Sequence, residues 1–354
     1  MSTIMSSHDD ASKALFWPFQ TGVLTLAAAP ALFLGARLNP DLLAFPQVEW
    51  RCEQAFLPFA SALSAAGIEV SPHVDASGFE WTLILPSRQR DEARALLARG
   101  VAATADGGHV VAAAANLGGG RALESDLQRL TGNVQGTAKH KCRIAWSRIA
   151  PETLDTATLE AWLALDTPRQ VDAGGESFWS RPGLFAWDRI DVASLLLAEQ
   201  LPTELSGRVA DLGAGWGYLS MQLLRRCPGI STLELFEANA RALEPAQRNL
   251  VRALGGRTTP NCSVHWHDVT RGLPGKFDAI VSNPPFHLDR SERPELGRAF
   301  IARAADALSD HGQFWLVANR HLPYEDALAQ RFGAVQTVVQ KHGFKVICAR
   351  EPRP

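Results

Sequence analysis

The sequence predicts an α/β protein built as two tandem domains, each a mostly parallel sheet with helices on its faces, the second finished by an antiparallel hairpin. Three observations predict it. The chain is 354 residues long, more than one hydrophobic core usually supports. In the second half, short apolar runs alternate with amphipathic segments, the pattern of parallel strands joined by right-handed crossovers. The first half repeats that pattern: "FEWTLILPSRQRDEARALLARGVAATADGGHVVAAAAN" (79–116) parallels "FDAIVSNPPFHLDRSERPELGRAFIARAADALSDHGQFWLVAN" (277–319). The expected division is a first domain over 1–150, a linker over 151–174 and a second domain over 175–354.

The elements of the second half follow in order. "GRVADL" (207–212) reads as a buried strand, "GYLSMQLLRRC" as a helix, "STLELFE" (231–237) as a strand and "ANARALEPAQRNLVRAL" as an amphipathic helix. "CSVHWHD" (262–268) and "FDAIVSN" (277–283) are two further strands, "RPELGRAFIARAADAL" a helix and "GQFWLVAN" (312–319) a fifth strand. In "AVQTVVQKHGFKVICARE" two apolar-rich runs meet at Lys341-His342-Gly343, a hairpin turn signal. Ligands of such a sheet bind at the carboxyl ends of its strands.

Composition narrows the partners. With 35 basic and 37 acidic residues the net charge is -2, so no global basic field marks a nucleic-acid partner, although a local patch suffices for one. The five cysteines, Cys52, Cys142, Cys227, Cys262 and Cys348, form no C-x-x-C pair. A disulfide framework or structural zinc site is therefore not expected, and a reducing cytoplasm fits. "MSTIMSSHDDASKALFW" carries no basic-then-apolar signal pattern, and no long uncharged apolar span follows. The expectation is a soluble cytoplasmic protein.

Two motifs carry chemistry. The first is "DLGAGWG", Asp211 to Gly217, at the end of the first strand of the second half. Gly213, Gly215 and Gly217 let the backbone turn sharply and approach a ligand without a Cβ in the way, and Ala214 lies between the first two. A dinucleotide fingerprint needs its third glycine at 218, which is Tyr218, so a nucleotide-dependent oxidoreductase is disfavoured. The spacing D-x-G-x-G-x-G resembles the first motif of class I methyltransferases, which use S-adenosylmethionine. A glycine turn that merely packs strand on helix is the plain alternative. Glu237 ends the second strand, where a carboxylate can accept both ribose hydroxyl protons; an acid at a helix start is favoured by the dipole without any ligand. Asp268 ends the third strand, where that family usually has a polar group on the adenine amine.

The second motif is Asn283-Pro284-Pro285-Phe286. A strand interior does not tolerate two prolines, so the strand stops at Ser282 or Asn283 and the loop after it is stiff. An exocyclic amine on a base is a poor nucleophile, because its lone pair is delocalised into the ring. Acceptors at its two N–H groups favour rehybridisation as the transition state forms. The side-chain oxygen of Asn283 and the carbonyl of Pro284 are the acceptors expected, with Phe286 stacking on the base for roughly 1–3 kcal/mol. No metal or general base is required. Alone, the loop reads equally as a strand-terminating turn with a capping Asn.

Together the motifs resemble the amino-methyltransferases, and the chain over 175–352 resembles the RsmC and RlmG group of bacterial ribosomal RNA guanine-N2 methyltransferases, closer to the small-subunit RNA enzymes. The residues carrying this are "RPGLFAWDRIDVASLLLAEQL", "VSNPPFH", "VANRHLPYEDAL" and "FGAVQTVVQKHGFKVICARE". The resemblance implies two tandem Rossmann-like class I methyltransferase domains with a degenerate N-terminal copy serving as scaffold or RNA platform. It implies S-adenosylmethionine as cofactor, with Asn283, Phe185 and Asp188 also bordering it. It implies ribosomal RNA or a ribosomal subunit as partner, with no membrane and no metal, and a monomer. Methylation of large-subunit guanine N2, adenine N6 or a protein glutamine is the alternative within enzymes. A non-catalytic RNA-binding or ribosome-assembly protein is the alternative of another class.

The first half is expected to have lost the chemistry. Its "GVLTLAAAPAL" (22–32) parallels "GRVADLGAGWGYL" (207–219), setting Thr25, Ala27, Ala29 and Ala31 against Asp211, Gly213, Gly215 and Gly217, and Leu85 against Asn283. Between the halves, "GTAKHKCRIAWSRIAPETLDTATLEAW" reads as linker, with Lys139, His140, Lys141, Arg143, Arg148 and Trp146 as one candidate RNA patch. Arg290, Arg293, Arg298 and Arg303 form a second. Either is equally readable as a solvated charged face.

Overall fold

The computed structural model describes residues 8–26, 28–285, 287–288, 291–292 and 294–353. The chain divides into two compact units, one of residues up to Thr167 with Arg181–Gly183, the other of Pro168–Ser180 and residues from Leu184 onward.

Unit 1 contains strands β1 (Pro30–Leu34), β2 (Glu49–Glu53), β3 (Val70–Ser71), β4 (Phe79–Ile84), β5 (Thr104–Ala115), β6 (Gln135–Lys139) and β7 (Cys142–Arg148), in one sheet of order β3-β2-β1-β4-β5-β7-β6. Its helices are α1 (His8–Gln20), α2 (Pro40–Leu43), α3 (Leu57–Ala65), α4 (Arg90–Ala103), α5 (Arg121–Thr131) and α6 (Thr156–Leu163). Unit 2 opens with an antiparallel pair, β8 (Arg169–Ala173) and β9 (Glu176–Ser180). Its main strands are β10 (Ser206–Leu212), β11 (Gly229–Glu237), β12 (Asn261–Trp266) and β13 (Phe277–Ser282). After a two-residue pair, β14 (His287–Leu288) with β15 (Ser291–Glu292), come β16 (Leu308–Asn319), β17 (Phe332–Lys341) and β18 (Phe344–Pro352). Helices α7 (Val192–Gln200), α8 (Tyr218–Arg226), α9 (Leu243–Leu254), α10 (Pro294–Ala307) and α11 (Glu325–Arg331) alternate with them.

The order of the second sheet, β12-β11-β10-β13-β16-β18-β17, repeats the first strand for strand. Strands buried on both faces read as continuous apolar runs. In β10 and β13, Val209, Ala279 and Val281 pack with α7 and α8 on one face, while Ala210, Leu212 and Ile280 pack with α10 on the other. Because β11 lies on one side of β10 and β13 on the other, the chain switches direction between β10 and β13. The crevice outside their carboxyl ends is where such sheets bind ligands.

Every strand and helix expected in the second half is present, and β13 stops at Ser282, ahead of the two prolines. The hairpin turns at His342-Gly343, both with positive φ (55° and 83°).

Two expectations are corrected. Residues 135–148 are not linker but the hairpin β6–β7, paired with β5 from Ala115↔Cys142 to His109↔Arg148. Its turn, His140-Lys141, has φ of 52° and 56°; without a glycine it lacks the usual signal of such a turn. From 151 to 174 the chain carries α6 in unit 1 and β8 in unit 2. The second correction concerns the alanine run. The strand matching β10 is β1, which starts at Pro30, and register sets its residues. Leu34 pairs with Ile84 and Glu53, as Leu212 pairs with Ser282 and Phe236. The counterparts of Asp211, Gly213, Gly215 and Gly217 are thus Phe33, Gly35, Arg37 and Asn39, not Thr25, Ala27, Ala29 and Ala31; Ala27 lies outside the described residues. The small apolar run mimicked a strand, whereas "PALFL" packs as one.

Candidate active site

β10 is apolar toward its end except for Asp211, which is 1% exposed. Its Oδ2 accepts from Ser220 Oγ at 2.7 Å, while Oδ1 is buried with no partner. Burial pushes the carboxyl up from 3.8 to about 7, against the pull of the Ser220 hydrogen bonds. Unit 1 places a buried apolar side chain, Phe33, at the same position.

The three glycines after Asp211 all have left-handed φ, 69°, 55° and 89°, and their surroundings separate their roles. A Cβ on Gly217 would touch Leu235 at 3.4 Å, and one on Gly213 would touch the Phe300 ring at 3.4 Å and Pro285 at 3.8 Å. A Cβ on Gly215 would meet no atom of the described residues within 4 Å. Gly213 thus brings the glycine loop against the proline loop, and Gly215 faces open space. The turn is pinned by the N–H groups of Gly213 and Ala214 donating to Phe236 O at 2.8 and 3.3 Å.

Glu237, at the end of β11, accepts from Gly215 N–H at 2.8 Å through Oε2 and from Asn239 N–H at 2.7 Å through Oε1. Burial raises its carboxyl above the usual range, against these backbone hydrogen bonds. A carboxylate offers about four lone-pair sites, so it keeps capacity for hydroxyl donors while holding the loop. Asp268 follows β12 and caps a single helical turn, its Oδ1 accepting from Thr270 N at 3.0 Å and Thr270 Oγ1 at 2.7 Å.

From behind, the glycine loop is clamped by residues the sequence reading passed over. Trp216 stacks on Phe178 of β9, with centroids 4.0 Å apart and planes 5° from parallel. Asn249 of α9, fully buried, donates to Trp216 O at 2.8 Å and Trp179 O at 2.9 Å, and accepts from Trp179 N–H at 2.7 Å. An amide in the middle of an amphipathic helix gives no linear sign of such partners.

Asn283 emerges where β13 ends. Its Nδ2 donates to Asp191 Oδ2 at 3.0 Å and to Ser194 Oγ at 2.8 Å. A carboxylate only accepts, so the atom facing Asp191 is the nitrogen. With both N–H groups committed, the group that remains is the Oδ1 acceptor. Pro284 is buried and Pro285 exposed; Phe286 lies outside the described residues.

The remaining expected residues divide. Phe185 is 70% exposed and Asp188 pairs with Arg189 at 2.8 Å on the segment leading into α7; among the described residues no hydrogen bond or ring contact joins either to the glycine loop. Trp146 is core, its Nε1 donating to Gln135. Arg148 sits six residues along β7 from Cys142, roughly 20 Å from the turn at about 3.3 Å per residue, and donates to Gly107 O. Arg143 pairs with Glu124 at 3.8 Å. Lys139, His140 and Lys141 stay exposed at the carboxyl edge of the sheet of unit 1. Arg303 bonds Thr270 O and Asp306, Arg298 is exposed, and Arg290 and Arg293 lie outside the described residues.

A family model described as "Methyltransferase small domain" matches residues 175–348. The ribosomal RNA small subunit methyltransferase C of Shewanella sp. (strain MR-7) is 34% identical over 244 residues, 68% of this chain and 68% of that protein. The chain belongs to the ribosomal RNA small subunit methyltransferase C family. Its relative from Shewanella amazonensis is 38% identical over 164 residues, 46% of each chain. The fold is also that of the Thermus thermophilus 16S rRNA N2 G1207 methyltransferase, solved with AdoMet and guanosine, at a TM-score of 0.79 and 24% identity over 96% of this chain and 92% of that one.

Unit 1 shows what this site becomes without ligand residues. Gly35 retains φ 70° and Ala36 N–H still donates to Glu53 O, as Ala214 does to Phe236 O. Glu237 is replaced by Gln54, whose Oε1 accepts from Phe56 N–H at 2.9 Å as Glu237 does from Asn239, while its Nε2 donates to Ala36 O at 2.7 Å. The neutral amide thus bonds the loop at its Ala36 carbonyl, where Glu237 bonds it at the Gly215 N–H. No helix among the described residues is long and apolar enough to cross a membrane, and no cluster of three or more His, Cys, Asp or Glu suits a metal.

Proposed function

We propose that the chain transfers a methyl group from S-adenosylmethionine to the exocyclic N2 of a guanine in small-subunit ribosomal RNA, using the crevice between β10 and β13 of unit 2. The observation that carries the reading is Asn283. Its amide is turned so that Oδ1 is the acceptor left over once both N–H groups are engaged, beside a glycine loop where a Cβ on Gly215 would meet no described atom and a buried Asp211 oxygen that has no partner among the described residues. Those features fit the cofactor: Gly215 admits its amino-acid end, and Glu237 retains acceptor sites for the ribose hydroxyls. Asp268, at the next strand end, is the group proposed to face the adenine, and Phe185 and Asp188 are proposed to border the site.

Asn283 Oδ1 and the Pro284 carbonyl accept from the two N–H groups of the guanine amine and favour a tetrahedral nitrogen whose lone pair is available. Such preorganised acceptors act only as charge develops, so they lower the barrier rather than merely binding substrate. As the N–C bond forms, the S–C bond breaks with its electron pair going to sulfur, which leaves as a neutral thioether, and the amine proton goes to water. Phe286 stacks on the base. Residues 1–150 are proposed as the RNA platform, presenting Lys139, His140 and Lys141 to phosphates, and residues 175–354 as the catalytic domain.

The test is Asn283→Ala assayed on small-subunit RNA lacking the modification. Methyl transfer should fall by at least about 100-fold, the usual scale for one preorganised hydrogen-bonding group, with cofactor affinity within a few-fold. Turnover near that of the wild type would remove Asn283 from the chemistry.

A further inference from the structure

Asp191 sits at the start of α7, in a segment whose ordinary duty is to cap a helix. Its Oδ2 accepts from Ser194 N–H at 2.8 Å, and that bond alone satisfies the cap. The same oxygen also receives Asn283 Nδ2, 92 residues away in sequence, and the Ser194 hydroxyl oxygen receives the other N–H of that amide. Ser194 is buried and Asn283 half-buried. A cap does not require either of these further bonds.

An amide side chain is nearly symmetric in shape, so Asn283 left to itself could present either oxygen or nitrogen to a substrate amine. Only the oxygen helps, because the nitrogen would set donor against donor. The acceptor-only carboxylate of Asp191 settles that choice. Its charge also polarises the amide through the shared N–H, since charge-assisted hydrogen bonds are about twice as strong as neutral ones and bonds in series reinforce one another. As the target nitrogen gains positive charge, the carboxylate stands behind the amide that holds it. We propose that Asp191, supported by Ser194, is a positioning residue for methyl transfer: the pair locks Asn283 with Oδ1 outward and strengthens it as an acceptor. The inference rests on the role given to Asn283 above.

The experiment compares Asp191→Asn, Ser194→Ala, Ser194→Thr and Asn283→Ala in the full chain, measuring kcat and KM on small-subunit RNA, S-adenosylmethionine affinity by calorimetry, and Tm. Asparagine caps a helix as well as aspartate does, so Asp191→Asn should leave Tm and cofactor affinity unchanged. It should lower kcat about 10-fold, the difference between a charge-assisted and a neutral hydrogen bond, with little change in KM. Ser194→Ala should lower kcat less, and Ser194→Thr, which keeps the hydroxyl, should recover it. Wild-type kcat in Asp191→Asn beside an inactive Asn283→Ala overturns the inference alone. An active Asn283→Ala overturns the reading beneath it. A kcat loss in Asp191→Asn that tracks a fall in Tm or cofactor affinity would make Asp191 a structural cap and nothing more.

Discussion

Replacing Asn249 with alanine would take out the joint that fastens the glycine loop to the β8–β9 pair. Three hydrogen bonds disappear together, two donated to Trp216 O and Trp179 O and one accepted from Trp179 N–H. Each net bond is worth about 1 kcal/mol, and buried backbone groups left without partners cost more, so unit 2 should lose about 3–5 kcal/mol. That is a large part of the roughly 5–15 kcal/mol by which domains are stable. Because Trp216 lies inside the loop, the binding-competent shape also becomes less populated, and apparent affinity falls by that fraction. Urea unfolding followed by calorimetric titration of the variant under native conditions separates the two effects. Asn249→Asp serves as the control: it keeps the volume and the bond from Trp179 N–H, but sets a carboxylate oxygen against two carbonyls, and should be destabilised as well. A loss below about 1 kcal/mol, or full loss of stability with unchanged cofactor affinity per folded molecule, would refute this account of the loop.

Asp211 gives a pH prediction. Its carboxyl is raised from 3.8 to about 7, so its stabilising contribution is complete below pH 4 and is lost as pH rises through 7. Asp211→Asn should therefore gain on the wild type by about 2–3 kcal/mol between pH 5 and pH 8, read from urea midpoints; parallel pH curves would show that the buried carboxyl does not titrate this way. Calorimetry on the wild type should give close to one S-adenosylmethionine per chain. Glu237→Gln, which copies Gln54 of unit 1, should weaken it by about 10-fold or more, as expected for loss of a hydrogen-bonding charge. Two sites, or full affinity in Glu237→Gln, would mean that an amide in this place does not disable the loop.

Much of unit 2 was legible in the sequence because its signals are local. Strands buried on both faces announce themselves as apolar runs, Pro284 and Pro285 end β13 by removing backbone donors, and Gly343 marks its hairpin. The β6–β7 hairpin was hidden because His140 and Lys141 adopt positive φ without the usual residues. The match of the alanine run to the glycine loop failed because small apolar residues carry no register; only the pairing of Leu34 with Ile84 and Glu53 shows that Phe33 stands for Asp211. Within the site, Asp211 and Glu237 could be picked out by their places at strand ends and Gly215 by the spacing of the glycines after Asp211. Asp191, Ser194 and Asn249 could not, since each gains its meaning from a partner tens of residues distant.

Where unit 2 has Gly213, unit 1 has Gly35. A Cβ there would lie 2.4 Å from Leu85 O, and φ is 70°, so the crossing of two backbone segments demands glycine whether or not anything binds. Arg37 and Asn39 stand where Gly215 and Gly217 would be, and Asn39 has taken up a helix cap by accepting from Leu42 N–H. The chain thus carries its own control experiment on sequence divergence. A position that is glycine in both units is set by the architecture they share, and one that differs between them is free of that constraint. Gly213, the counterpart of Gly35, would meet only ordinary contacts with a Cβ and is favoured by its φ of 69°, while at Gly215 no described atom lies within 4 Å of a Cβ, so packing does not account for that glycine.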